Sequence, residues 1–277
     1  MANTQTEWLE KNISNGSIVK IDYSKFVNRR KIGTGGFGEV FSYEMKDSEL
    51  VVVLKCLKSE EIIEDFINEL TILKICDNQA IIKFYGVTKD SNERYYMVLQ
   101  YADGGDLQNY LKAKKPRWTD KLSIAKEIAC GLSYLHDNNI IHKDLHPKNI
   151  LIHQGKPKIA DFGLSKQINE VSMASNSNFE DLKGVLQYTE PQCLIDGKDK
   201  CNKKSDVYSF GVILWEISSG IPSFQKIQSQ TLISVYICKG KREVPIEGTP
   251  IHILNFTKNA GIMILLSAQK QKLSMIH

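Results

Sequence analysis

The run His142-Lys143-Asp144-Leu145-His146-Pro147-Lys148-Asn149, followed after a short apolar stretch by Asp161-Phe162-Gly163, constrains this chain more than any other feature. It sets two carboxylates and a carboxamide at a spacing suited to a metal-bound nucleotide and a hydroxyl acceptor. A lone Asp in such a place is most simply a capped turn, but a turn does not account for the whole set in this order. Composition mainly excludes. With 277 residues, 42% hydrophobic and 25% charged, the chain reads as an ordinary globular protein with room for one or two cores. The net charge of +4 is scattered, which argues against nucleic-acid or membrane binding. The six cysteines form no C-x-x-C or Cys/His cluster, so reduced thiols and a cytoplasmic location are expected. The longest apolar run, Ile262 to Leu266, is too short to span a bilayer.

Gly33-Thr34-Gly35-Gly36-Phe37-Gly38 fits G-x-G-x-x-G, a spacing also used by dinucleotide-binding Rossmann folds. A Rossmann fingerprint must open a helix, whereas Glu39 to Met45 is rich in β-formers and has no N-cap at its start. Two strands joined by a glycine flap is the better reading. Such a flap brings backbone N–H groups close to phosphate oxygens, with Phe37 at its tip to exclude water. Downstream, Leu50 to Leu57 is an apolar strand interrupted by one charge, Lys55. A lysine there is either an edge residue or an ammonium with a partner. Ser59-Glu60-Glu61 looks like a helix start, after which Ile62, Phe66, Leu70 and Leu73 recur at helical spacing. Glu69 projects from that same stripe. A carboxylate on a buried face needs a cation, unless Glu69 is only a rim charge.

In order and spacing these segments resemble the signature set of a protein kinase catalytic domain over about residues 26 to 220. Ser205-Asp206-Val207-Tyr208-Ser209-Phe210-Gly211 looks most like the tyrosine-kinase-like and tyrosine kinase groups. The resemblance implies an α+β, two-lobed fold. A small five-stranded antiparallel β lobe carries one helix, with strands near Ile81 to Thr88 and Tyr95 to Gln100. A larger, mainly α-helical lobe follows. The implied division is an extension at 1–25, helical or loosely docked, a nucleotide-binding lobe at 26–101 and a catalytic lobe at 102–277, divergent after about residue 250.

The resemblance also assigns roles. Asp144 would be the base for the substrate hydroxyl, with Lys55, Glu69 and Lys148 completing the catalytic set; Asn149 and Asp161 would hold Mg²⁺. ATP would be bounded by Ile32, Gly33, Gly35, Gly36, Phe37, Gly38, Val40, Val53 and Leu151. Leu99 would be the gatekeeper, and Gln100 to Ala102 the hinge that meets adenine. Asp106 would meet the ribose or simply cap a helix. Phe162, His142, Leu73 and Phe84 match a regulatory hydrophobic stack, and Asp206 would anchor the catalytic-loop backbone; the stripe Ile124, Ile128, Leu132 and Leu135 reads as a long amphipathic helix over Thr119 to His136 that would deliver the loop beginning at His142. Partners would be ATP, a protein substrate, and an upstream kinase or scaffold. The rival reading is a nucleotide-binding pseudokinase or signalling scaffold without phosphotransfer.

Four departures stand out. Lys143 replaces the arginine of H-R-D, losing the planar fork that grips a phosphorylated segment. His146 stands where Ser/Thr kinases carry a lysine. Gln192 replaces the glutamate of A-P-E, and Val185 a threonine near it; Ser172, Ser175 and Ser177 are phosphorylation candidates in the same segment. Beyond Pro250 the closing landmarks of the lobe are missing, which implies an imperfectly covered hydrophobic floor.

Overall fold

The computed structural model describes residues 2–35, 38–56, 63–168, 186–197, 201–251 and 253–256. They fall into two compact units, Met1–Asp103 with Lys158–Leu164, and Gly104–Pro157 with Ser165–His277. Several expectations fall outside the described residues: Gly36 and Phe37, the helix start at Ser59 to Ile62, Val185 with the three serines, and the tail from residue 257.

In the first unit, strands β1 (Phe26–Gly35), β2 (Gly38–Met45), β3 (Val51–Cys56), β4 (Phe84–Lys89) and β5 (Tyr95–Gln100) form one antiparallel sheet in the order β1-β2-β3-β5-β4. Gly35 pairs directly with Gly38, so a strand follows the glycine segment and the Rossmann alternative is excluded. Alternation sends Val52 and Leu54 into a core with Phe26, Tyr43 and Val98. Each such side chain contributes about 1.5–3 kcal/mol.

The strand read from Ile81 begins instead at Phe84. Ile81 and Ile82 are occupied elsewhere: Ile81 bridges Ile159 in parallel and the Ile82 N–H donates to the Ile159 carbonyl at 2.9 Å. Helix α2 (Ile63–Ile75) buries Phe66, Leu70 and Leu73 on one stripe, with Glu69 among them.

The residues before Phe26 belong to this unit. Helix α1 (Ala2–Ser14) packs against α2 with Leu9 fully buried. The chain then runs along β4, where the Val87 N–H donates to the Val19 carbonyl at 2.9 Å and the Ile21 N–H to the Val87 carbonyl at 2.8 Å. Gly86 makes this approach feasible. A Cβ there would lie 2.3 Å from the Val19 carbonyl oxygen, and its φ of +149° is one that side chains rarely adopt.

The second unit is mainly helical: α3 (Leu107–Lys114), α4 (Trp118–Asp137), α5 (Pro191–Asp196), α6 (Lys203–Ser219) and α7 (Gln230–Cys238), with short strands β6 (Ile140–Ile141) and β9 (Lys166–Gln167) paired to each other. Strand β7 (Ile150–His153) pairs with β8 (Lys156–Ile159). Helix α4 buries Ile124, Ile128, Leu132 and Leu135, the stripe read from the sequence. Helix α6 is buried around most of its circumference, as a helix apolar on all sides must be. A capping box of Asn202 and Ser205 starts it, and Gly220 ends it at φ +74°.

Cys193 on α5 and Cys201 just before α6 share no sequence motif but lie close together, their Cα atoms 5.5 Å apart.

Candidate active site

Within the first unit, β3, α2 and the segment after β8 bring three charges together. Lys55 Nζ donates to Glu69 Oε2 at 2.6 Å and to Asp161 Oδ1 at 3.0 Å. Glu69 is almost fully buried, so its charge needs this ammonium. Burial presses Lys55 to lose its proton, but Glu69 and Asp161 outweigh it and hold the ammonium above the usual lysine range. Asp161 has a φ of +65°, uncommon for any residue but glycine. One residue on, Phe162 is fully buried, and the Asn68 amide donates to the Phe162 and Gly163 carbonyls at 3.4 and 3.2 Å. Asn68 was not singled out from the sequence; its position beside Glu69 on the same helix was the available signal.

The remaining candidates in this unit lie along the sheet. Val53 is half-buried and pairs with Leu99, while Val40 is half-buried on β2. Ile32 is exposed, and Gly33, Gly35 and Gly38 lie in the paired backbones of β1 and β2. The Gln100 N–H donates to the Lys83 carbonyl at 2.9 Å, and Ala102 follows the end of β5. Leu73 is buried on α2 and Phe84 half-buried at the start of β4.

In the second unit, a loop between β6 and β7 carries Asp144, and Asp206 of α6 is its anchor. Asp206 is fully buried and accepts the His142 N–H through Oδ2 and the Lys143 N–H through Oδ1, both at 2.9 Å. Its Oδ2 also meets His136 Nε2 at 2.9 Å. His136, at the end of α4, carried no sequence signal. Lys143 takes a φ of +64°, so its backbone serves the anchor. His142, fully buried, accepts the Asp144 N–H on Nδ1 at 3.3 Å, and the Ser165 hydroxyl donates to its carbonyl at 3.0 Å.

A 3₁₀ turn over Pro147–Asn149 then brings Asn149 back to Asp144. Asn149 Nδ2 donates to the Asp144 carbonyl at 2.9 Å and to its Oδ2 at 3.1 Å, so Oδ1 is the amide atom available to a cation. Lys148 on the same turn is exposed. Asp106 caps α3, its two carboxylate oxygens accepting from the Asn109 backbone and amide at 2.8 and 2.7 Å. It also bridges Leu151, which is half-buried. Gly104 permits this arrangement, because a Cβ would meet Ile152 at 2.8 Å.

Where the sequence lacks the A-P-E glutamate, Gln192 lies on α5. The buried carboxylate nearby is Glu190, which accepts from the Ser205 hydroxyl at 2.5 Å.

Asp161 in the first unit offers a carboxylate oxygen and Asn149 in the second an amide oxygen, each a donor of the type a hard cation takes. Among the described residues no cluster of three or more His, Cys, Asp or Glu side chains is placed to hold a metal by itself.

Comparison with known proteins gives the same direction. The family model for protein tyrosine and serine/threonine kinases matches residues 26–260. Tyrosine-protein kinase transforming protein Fps of Fujinami sarcoma virus is 33% identical over 227 residues, covering 79% of this chain and 25% of the viral protein. Receptor-interacting serine/threonine-protein kinase 3 of Rattus norvegicus is 30% identical over 242 residues, 84% of this chain and 49% of the rat protein. An Arabidopsis thaliana LEAF RUST 10 disease-resistance locus receptor-like protein kinase-like 1.4 is 35% identical over 204 residues, 69% of this chain and 29% of the plant protein. The chain thus spans between a quarter and a half of the length of these relatives. With a family model over most of its length, a paired Lys55 and Glu69, and an anchored loop bearing Asp144, this chain belongs to the protein tyrosine and serine/threonine kinase family.

Proposed function

We propose that the chain transfers the γ-phosphoryl group of Mg-ATP to a protein Ser, Thr or Tyr hydroxyl. The observation that carries this reading is Lys55 Nζ held at once by Glu69 and Asp161, at 2.6 and 3.0 Å. A lysine so fixed presents a permanent cation to phosphate oxygens without further ordering. Asp144 is the base: the acceptor oxygen bonds to the γ-phosphorus, the bond to the β–γ bridging oxygen breaks, ADP leaves, and the hydroxyl proton passes to Asp144. Mg²⁺, held by Asp161 and Asn149, would neutralise charge on the phosphates. Lys148 is exposed on the turn after Asp144 and would offer a second cation to the transferred group. Catalysis of this kind is mostly positioning and electrostatic stabilisation. The reading implies a protein substrate and an upstream kinase or scaffold, within cytoplasmic signalling. Among the described residues no helix is long and apolar enough to cross a membrane.

Intact mass after incubation with Mg-ATP and a generic protein substrate tests this, beside an Asp144→Asn control. Added phosphate with the wild type and none with the control is expected, and mapping the phosphorylated residues names the hydroxyl class. No transfer, with a melting temperature raised by Mg-ATP, would replace this reading with a nucleotide-binding pseudokinase.

A further inference from the structure

His146 lies in the same loop, two residues after Asp144. The residue is buried, and its Nδ1 has no hydrogen-bond partner among the described residues. Its Nε2 lies 3.6 Å from Asp144 Oδ2. The backbone there is extended and the ring does not cap the turn that follows; instead the His146 carbonyl accepts the Asn149 N–H at 2.9 Å. The other side of the ring rests near Tyr188, with centroids 5.9 Å apart. Tyr188 is itself fixed, since its buried hydroxyl donates to Glu216 Oε1 of α6 at 2.7 Å. The ring therefore lies between Tyr188 and the base.

This environment selects a tautomer. A buried Nδ1–H with no acceptor would cost about 1–3 kcal/mol, and it would leave the Nε2 lone pair facing a carboxylate oxygen. With the hydrogen on Nε2 the ring presents a donor to Asp144. At 3.6 Å that donor stands just outside hydrogen-bond range. Catalytic contacts in ligand-free enzymes are commonly long in this way and tighten when substrate is bound.

We propose that His146 is a positioning residue for Asp144, its Nε2–H closing onto Oδ2, the oxygen that Asn149 Nδ2 also holds, to fix the carboxylate for the acceptor hydroxyl. The inference rests on the phosphotransfer reading above. A lysine at this position would place a mobile charge beside the transferred group; a wedged imidazole orients the base instead.

The test compares His146→Leu, which removes the donor, with His146→Gln, whose amide N–H reaches toward the place of Nε2. His146→Leu should lower kcat by about 10- to 100-fold with KM for ATP changed by less than about 2-fold, and His146→Gln should recover most of the loss. Leu and Gln variants equally slow would mean the ring only packs, and a Leu variant as fast as wild type would remove the role altogether; either result overturns the proposal. A second reading needs no turnover: ring ¹⁵N correlation spectra of the wild type should show the Nε2–H tautomer, with a ring shift that changes in Asp144→Asn. An Nδ1–H ring also overturns the proposal. Failure of the phosphotransfer reading shows itself differently, as a wild type that makes no phosphorylated product, and that result removes the base's task and His146's with it.

Discussion

Burial alone would drive the proton from Lys55, and the carboxylates of Glu69 and Asp161 hold it there. The converse dependence is stronger, because Glu69 is the more buried partner and has its charge compensated chiefly by this ammonium. Lys55→Met should therefore destabilise the protein by about 3–5 kcal/mol in chemical denaturation, beyond abolishing phosphotransfer, since it strands a buried carboxylate. The double variant Lys55→Met with Glu69→Leu should regain much of that stability while remaining inactive. Equal stability in the single and double variants would show that the pair is not what Glu69 relies on. The pH dependence has a definite sign. Burial raises the pKa of Glu69 above its ordinary value of 4.5, with Lys55 opposing, so removing Lys55 strengthens the rise. A group whose folded pKa is raised in this way loses stability as pH climbs through that value. The defect of Lys55→Met should thus shrink as pH falls toward 4.5 and be largest at neutral pH.

At the scale of elements, α2 owes its placement to two neighbours of different kinds. One is β3, through the Lys55–Glu69 pair; the other is α1, which buries Leu9 and leads into a stretch hydrogen-bonded along β4. Gly86 is the point where this attachment is most exposed to mutation. Gly86→Ala should cost roughly 1–3 kcal/mol, because the new Cβ meets the Val19 carbonyl and the backbone must shift. Gly16→Ala is the control: its φ is also positive, +75°, but nothing lies within 4 Å of the added Cβ. Hydrogen exchange should then speed up at Ile21 and Val87 in Gly86→Ala and stay slow in Gly16→Ala. Equal exchange in both would mean that backbone strain, and not the close approach, sets the cost. The stripe of α2 was legible from Phe66, Leu70 and Leu73, and with it the need of Glu69 for a cation, because a side chain on a buried face must satisfy its charge; that Lys55 supplies it came from the family resemblance. The docked N-terminal stretch was less legible than either. What fastens it to β4 is backbone hydrogen bonding and a missing Cβ, and neither leaves a periodic pattern in the residues concerned. The late start of β4 has the same origin: Ile81 and Ile82 look like strand residues and are hydrogen-bonded, but to Ile159.

At the scale of the molecule, neither compact unit is a continuous piece of chain. The first borrows Lys158–Leu164, the segment that brings Asp161 to Lys55 and buries Phe162 completely, and the chain on both sides of that segment belongs to the second unit. Motifs in the sequence marked Asp161 and Phe162, and the family resemblance grouped Phe162 with Leu73 and Phe84; that the segment joins the first unit while its chain neighbours join the second depends on contacts between residues about a hundred positions apart. The consequence is cooperativity. Unfolding the second unit removes both tethers of the segment that completes the first, so the first should not outlast it. Three tryptophans allow a direct check, since Trp8 lies in the first unit while Trp118 and Trp215 lie in the second. A Trp118→Phe, Trp215→Phe double variant reports on the first unit, and Trp8→Phe reports on the second. After correction for each variant's own stability by far-UV circular dichroism, both fluorescence transitions in urea should coincide with the loss of secondary structure. A Trp8 signal that persists past the loss of the Trp215 signal would show that the Lys158–Leu164 segment is held by the first unit alone, and that the borrowed segment does not couple the two.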